Sequence, residues 1–332
     1  MTQGYVSGAS AYIKYGYEGT YGTASSETNY KNFGYGATIS VNRRNNMERI
    51  YGLGSRNPAA TVATKYEGTL TVEFVLGNGW FWRSVIGRLS DLGSGPFTHT
   101  YNEGATTTDV DLDSITIQNC IEMGTNDYAF NYVGCKLSRA TLSAAVGETV
   151  KVTLEYNYMK EATVAIGSAA TDTVWDAPMA FQTGSLQLPT GTTIAAVQSF
   201  KLDITNTLEA IYGLGSRFRV AEVPTKRAYE FDLTAAFLNP PSGSSGLNYY
   251  FFGGTTPTDP STPAAQATLL LTFSNGLGTT LLRKHVITLA NAYIDENTLP
   301  QKPDEVIKEN VRGFCLSGTS VVVTDNTSTA PV

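Results

Sequence analysis

Two histidines, three cysteines and one run of aspartates are the residues in this chain whose chemistry could carry catalysis or metal binding. His99 and His285 stand apart, with no serine or cysteine nucleophile motif beside either, so they read as packed or solvated imidazoles. Cys120, Cys135 and Cys315 form no CxxC pair and no metal-ligand spacing; an odd count without a framework points to assembly in a reducing compartment. The run Asp109-Val110-Asp111-Leu112-Asp113 lacks the glycine and the closing glutamate of a calcium loop and reads as a polar strand edge or turn. Gly52-Leu53-Gly54 lacks the third glycine of a dinucleotide fingerprint, and no Gly-Lys-Ser or Gly-Lys-Thr phosphate loop occurs. Those two glycines instead supply positive φ in a long loop. The chain is therefore expected to be no enzyme, with no catalytic residue, no cofactor and no metal.

The elements that would have to position such residues are more informative. At 332 residues the chain has room for about two domains, and 42% hydrophobic residues suffice for a packed core. Only 16% are charged, against roughly 25% for average globular proteins. A surface built from Thr, Ser, Asn, Gly and 19 Tyr desolvates readily at contacts between proteins. The net charge of −6 argues against tight nucleic-acid binding through a basic groove. Met1 to Tyr12 carries neither the basic nor the apolar segment of a signal peptide, and no window approaches the ~18 apolar residues of a membrane span, so no membrane insertion is expected.

The chain repeats itself. Ile50-Tyr51-Gly52-Leu53-Gly54-Ser55-Arg56 recurs letter for letter as Ile211-Tyr212-Gly213-Leu214-Gly215-Ser216-Arg217, an offset of 161 residues. Asn45, Glu48, Val62, Thr64 and Lys65 match Asn206, Glu209, Val223, Thr225 and Lys226 at the same offset. Around both copies the pattern alternates: Ile39 and Val41, then Leu70, Val72 and Phe74, against Phe200, Leu202 and Ile204, then Phe231, Leu233, Ala235 and Phe237. Period-two alternation means strands with one buried face. Each copy thus reads as a strand, an insertion of about 25 residues and a returning strand, far beyond the 2–5 residues of an ordinary hairpin loop. Further strands are expected at Ser114–Ile121, Tyr128–Val133, Glu148–Tyr158, Ala267–Phe273 and Thr279–Leu289. One helix, capped by Asn78, is expected from Trp82, Val85, Ile86 and Leu89. Asn239-Pro240-Pro241-Ser242-Gly243 stands at the corresponding place in the second half, so that copy is expected to have lost or replaced the helix. Met159 to Trp175 reads as a linker between an expected first domain (1–160) and second domain (161–332). Pro240 to Pro263 reads as irregular, around an aromatic run Tyr249-Tyr250-Phe251-Phe252 that must be buried, and the tail from Thr319 reads as partly disordered.

Phe33 to Leu89, and its counterpart Val197 to Phe237, resemble the major tail tube proteins of tailed viruses. In that family a small β-sandwich with one helix beside it carries a long loop between two lumen-lining strands. The order strand, long loop, strand, helix and later strands is the same here. The resemblance implies an all-β chain of two tandem tail-tube-like β-sandwich domains that polymerises as stacked rings into a hollow virion tail tube. It implies a ring of fewer chains than an unduplicated protein needs, and the two strand–loop–strand units suggest a trimer with approximate sixfold symmetry, the rival being a hexamer of whole chains. The partners implied are further copies of the chain, the tape measure protein, the tail terminator and initiator proteins, and viral DNA in transit without tight binding, with assembly in the host cytoplasm. Similar folds also serve secretion and injection systems, and a carbohydrate-binding adhesive β-sandwich is the reading from a different class.

Charge singles out the duplicated loops. From Asn42 to Tyr66 there are five bases and one acid; from Thr205 to Tyr229 there are four bases and two acids; the remainder holds 14 bases and 26 acids. Basic loops could reach the acidic surface of the next ring, point at DNA, or be solvated charge with no partner, and the first is favoured because a conduit should not hold its cargo. The expected inter-ring contact residues are Arg43, Arg44, Arg49, Tyr51, Arg56, Tyr212, Arg217 and Arg219.

Overall fold

A computed structural model describes residues 11–26, 30–87, 89–92, 97–103, 112–121, 128–164, 178–194, 196–237, 247–252, 266–277, 283–316 and 320–325. Over the described residues the chain is all-β, with two short α-helices and one 3-10 turn at Phe181–Thr183. The strands of the first half are β1 (Ala11–Tyr17), β2 (Lys31–Asn32), β3 (Tyr35–Tyr51), β4 (Pro58–Val75), β5 (Leu89–Leu92), β6 (Phe97–Asn102), β7 (Ile115–Ile121), β8 (Tyr128–Ala145), β9 (Lys151–Tyr158) and β10 (Lys160–Val164). Those of the second are β11 (Ser185–Gln187), β12 (Val197–Tyr212), β13 (Arg219–Ala236), β14 (Ala267–Ser274), β15 (Lys284–Thr298), β16 (Lys308–Cys315) and β17 (Ser320–Asp325).

One antiparallel sheet runs through both halves in the order β3-β4-β9-β8-β12-β13-β16-β15. Alternation dictates its two faces. Leu70, Val72, Phe74, Val152, Leu154, Tyr156, Phe200, Leu202, Phe231 and Leu233 are buried, while Thr69, Glu73, Lys151, Glu230, Asp232 and Arg312 on the same strands are exposed. The buried face is covered by two smaller sheets. The first is β2-β1-β7-β8-β10, and the second is β5-β6-β17-β15-β14-β11.

β8 and β15 each belong to two sheets, and the chain bends at equivalent points. Gly134 and Asn291 both take positive φ, 69° and 50°, and a register irregularity follows in each strand, at Leu137/Arg139 and at Ile294/Glu296. All three positions differ by 157 residues, so the duplication extends beyond the repeated heptapeptide. Glycine meets the left-handed conformation without strain, and asparagine tolerates it better than most residues.

Several expectations need correction. The strands flanking the repeated segment do not stop at Val41 and resume at Leu70; β3 and β4 stay paired as far as Tyr51↔Pro58, leaving only Gly52 to Asn57 as a turn. The 25-residue insertion is therefore mostly strand. The helix α1 covers Trp82–Val85 alone; Phe81 stands at its N-cap without a side-chain bond, Asn78 donates instead to the Asn32 carbonyl, and Leu89 lies in β5. Of the two alternatives for the second half, loss or replacement, the structure has a different helix, α2 (Leu247–Phe252), made from the aromatic run itself, with Leu247 and Tyr250 buried. Lys160–Val164, read as linker, is strand β10 on β8, and Ser320–Asp325, read as tail, is strand β17 held between β6 and β15. β8 runs on to Ala145, and β15 runs on to Thr298. Residues 1–10, 109–111, 165–177, 239–246, 253–265 and 326–332 lie outside the described residues.

Candidate assembly site

β3 with β4, and β12 with β13, form two long hairpin arms whose outer parts leave the sheet, since β9 joins β4 only from Gly68 and β16 joins β13 only from Tyr229. Both arms end in the repeated sequence and fold it the same way. Gly54 and Gly215 have φ of 84° and 83°, the Ser55 and Ser216 amides donate to the Gly52 and Gly213 carbonyls at 3.2 Å in both, and the Asn57 and Phe218 amides donate to the Ser55 and Ser216 hydroxyl oxygens at 3.1 Å in both. Leu53 and Leu214 are fully exposed at the two tips. Along the arms Met47, Ile50, Tyr51, Val62, Ile211, Phe218, Val220 and Val223 are also exposed. Apolar surface of this extent on a thin projecting hairpin has no core to join within the described residues.

The second arm leans on the first. The Tyr66 amide donates to the Arg217 carbonyl at 2.9 Å, Arg217 also donates to the Asn45 side chain, Lys65 lies 5.9 Å from the Tyr212 ring centroid, and Tyr66 meets Phe218 edge-on at 5.6 Å. Deeper in this seam Arg219 and Glu222 form a buried ion pair at 2.9 Å, and Glu222 accepts a further bond from Asn157 at 2.8 Å. Burial nevertheless lifts the Glu222 carboxyl above its usual range, with Arg219 opposing.

The expected contact residues therefore divide. Tyr212, Arg217 and Arg219 are engaged within the chain, Arg219 with its guanidinium buried. Arg43 is tied at the base of the first arm to Glu161 at 2.7 Å and over the Phe130 ring. Arg44, Arg49, Tyr51 and Arg56 are exposed.

Sequence reasoning missed the open sheet edge. β12 uses its far edge to pair with β8, from Ser199↔Ala145 to Thr205↔Arg139. That junction is fastened by Asp203, which accepts from Thr141 and Lys201 at 2.5 Å each; burial raises its carboxyl, but these bonds and the Lys201 and Arg139 charges outweigh burial and hold it below the usual range. β3, its counterpart, pairs with β4 alone among the described residues. β15 beyond Ala292 likewise pairs with β16 alone among the described residues. The signal lay in the sequence as alternation at Thr38 to Arg44 without a second partner strand, but alternation does not say which edge is filled.

His99 and His285 are both buried, and each pairs with Val323 from opposite sides of β17. His99 packs on Trp80, while the Trp82 indole donates to His285 Nδ1 at 3.1 Å, so they are core residues. Asp113 forms an ion pair with Arg83 at 2.5 Å. Among the described residues no cluster of His, Cys, Asp or Glu could hold a metal ion, and no helix is long and apolar enough to cross a membrane.

The family described as phage tail tube protein matches residues 8–306, nearly the whole chain. The chain belongs to that family. It is a structural component of the virion tail, and membership implies self-assembly and association with other tail proteins. No curated protein matches this tail tube sequence. Among the described residues of this tail tube chain, the outer parts of both arms are exposed, and β3 and the end of β15 each pair with one strand.

Proposed function

We propose that copies of this chain close head to tail into rings, and that the rings stack into the hollow tube through which viral DNA passes. The observation that carries the reading is the filled edge of β12 beside the open edge of β3. The β8–β12 junction inside the chain is the pattern for a junction between chains, in which β15 of one copy receives β3 of the next. A heterologous contact of this kind closes into a ring when its rotation divides the circle.

The offsets fix the register. Thr205↔Arg139 becomes Arg44 opposite Glu296 of the next copy, and Asp203↔Thr141 becomes Asn42 opposite Thr298. Charge supports it. Across the exposed face, Lys201, Asp232, Arg312 and Glu296 lie in one cross-strand row of alternating sign, and Arg44 continues the alternation. Opposite charges facing across a sheet stabilise the pairing.

In such a ring the exposed face of the long sheet lines the lumen. Its Thr, Ser and alternating charges offer no continuous basic track, so phosphates pass without being held. Three chains supply six arm-bearing units and give threefold symmetry that approximates sixfold. Leu53, Leu214 and Arg49 on the arms contact the next ring, and the tube ends meet the terminator, initiator and tape measure proteins during assembly in the host cytoplasm. Electron microscopy of the purified chain, with and without a tail initiator complex, tests the reading: rings or tubes are expected, and a monomer at all concentrations under both conditions would refute it.

A further inference from the structure

The two arms carry the same groups in unequal circumstances. Tyr212 and Arg217, at the second tip, are engaged by Lys65, Asn45 and the Tyr66 amide of the first arm. Their counterparts Tyr51 and Arg56, at the first tip, are exposed, and so is Lys226, the counterpart of Lys65. The tip is thus present twice, and so are the lysine and the backbone amide of the cradle, whereas Asn206, the counterpart of Asn45, is buried and bonded to Arg227 and the Leu137 carbonyl. β16 joins β13 only from Tyr229 onward, as β9 joins β4 only from Gly68, so among the described residues no strand pairs with the outer edge of β13 at Arg227, the counterpart of Tyr66.

We propose that the first tip of each copy clasps the second arm of its neighbour, with Tyr51 beneath Lys226 and the Arg56 carbonyl accepting the Arg227 amide. The partner is a second copy of this chain, and the inference rests on the head-to-tail reading above. The β15-to-β3 junction places the first arm of the neighbour beside β13, as the β8–β12 junction places the second arm beside β4. This clasp explains why seven consecutive residues are identical in both tips: each tip meets a lysine and a backbone amide in the same register, one pair within the chain and one across the interface. The Tyr66–Phe218 ring contact has no equivalent, because Arg227 and Asn57 stand at those positions. The contact between chains is therefore the more polar of the two, as suits a surface that faces water before assembly.

Cysteine cross-linking of the full chain tests this. The native cysteines are buried and should therefore react poorly with maleimides. Tyr51→Cys with Lys226→Cys, treated with a short bis-maleimide, should give covalent dimers and trimers on a denaturing gel. Lys65→Cys with Tyr212→Cys should give only an internally bridged monomer. Lys226→Glu alone should raise the concentration needed for ring formation about two- to fivefold, the scale of an exposed cation–π contact. Rings visible by microscopy whose Tyr51/Lys226 cysteine pair yields monomer alone would overturn the clasp and leave the head-to-tail reading standing. Failure of the unmodified chain to form rings would overturn both.

Discussion

The Tyr66 amide donates to the Arg217 carbonyl at 2.9 Å, so that the tip of one arm is stitched to the flank of the other across 151 residues of sequence. Most of what can be tested about this chain follows from that seam and from the sheet edges on either side of it.

The buried Arg219–Glu222 pair lies inside the seam. Replacing Arg219 by Met leaves Glu222 buried without its cation and should cost about 3–5 kcal/mol at neutral pH. Glu222 in the folded chain already titrates above its ordinary range through burial, so the folded state binds the extra proton and stability falls as pH rises through that folded value. Loss of Arg219 raises the value further. Denaturant melts should therefore show a larger deficit for Arg219→Met at pH 8 than at pH 5; an equal deficit at both would mean that Glu222 is not the group left stranded.

Gly313 on β16 sits where a Cβ would come within 2.3 Å of both the Phe231 ring and the Tyr293 carbonyl oxygen. A ring can rotate, but a paired backbone carbonyl cannot retreat. Gly313→Ala should destabilise the fold by about 1–3 kcal/mol, seen as a lower denaturant midpoint with an unchanged slope.

Arg44→Glu should block ring formation without altering the monomer's circular dichroism, because Arg44 is exposed and lies on the proposed interface. Pairing it with Glu296→Arg should restore rings. Failure of the double variant to recover while each single variant folds would rule out the register proposed for β3 against β15.

Leu53→Asp together with Leu214→Asp should leave folding and ring closure intact, since both side chains are fully exposed and touch no core. Stacking should fail, giving free rings by electron microscopy. Tubes of normal length from this variant would remove the tips from the contact between rings.

The alternating segments were legible because burial of one face of a strand imposes a period of two, as at Leu70, Val72 and Phe74. The duplication was legible from the heptapeptide. The arms were misread as loops because their outer residues contact no core: Arg43 to Tyr51 is mostly exposed and polar, so no alternation marks it as strand. The pairing that makes it a strand comes from the facing β4 backbone, which composition does not report. The short helices were misread for a related reason. Trp80, Phe81, Trp82, Val85 and Ile86 are all buried, so their spacing reflects a core packed on every side more than one face of a helix. The basic character of the tips was visible, but which arginines are free was not; Arg217 and Arg219 find partners 172 and 3 residues away in sequence, and only the folded seam distinguishes them from Arg56.

The central claim is that one chain supplies two adjoining sectors of a ring. The most direct measurement is a reconstruction of assembled rings or tubes by electron cryomicroscopy, from which chain number and strand order are both read. The account predicts three chains per ring, with β3 of each paired to β15 of the next and Arg44 opposite Glu296. Six chains per ring, or β3 left facing solvent in the assembled state, would contradict it.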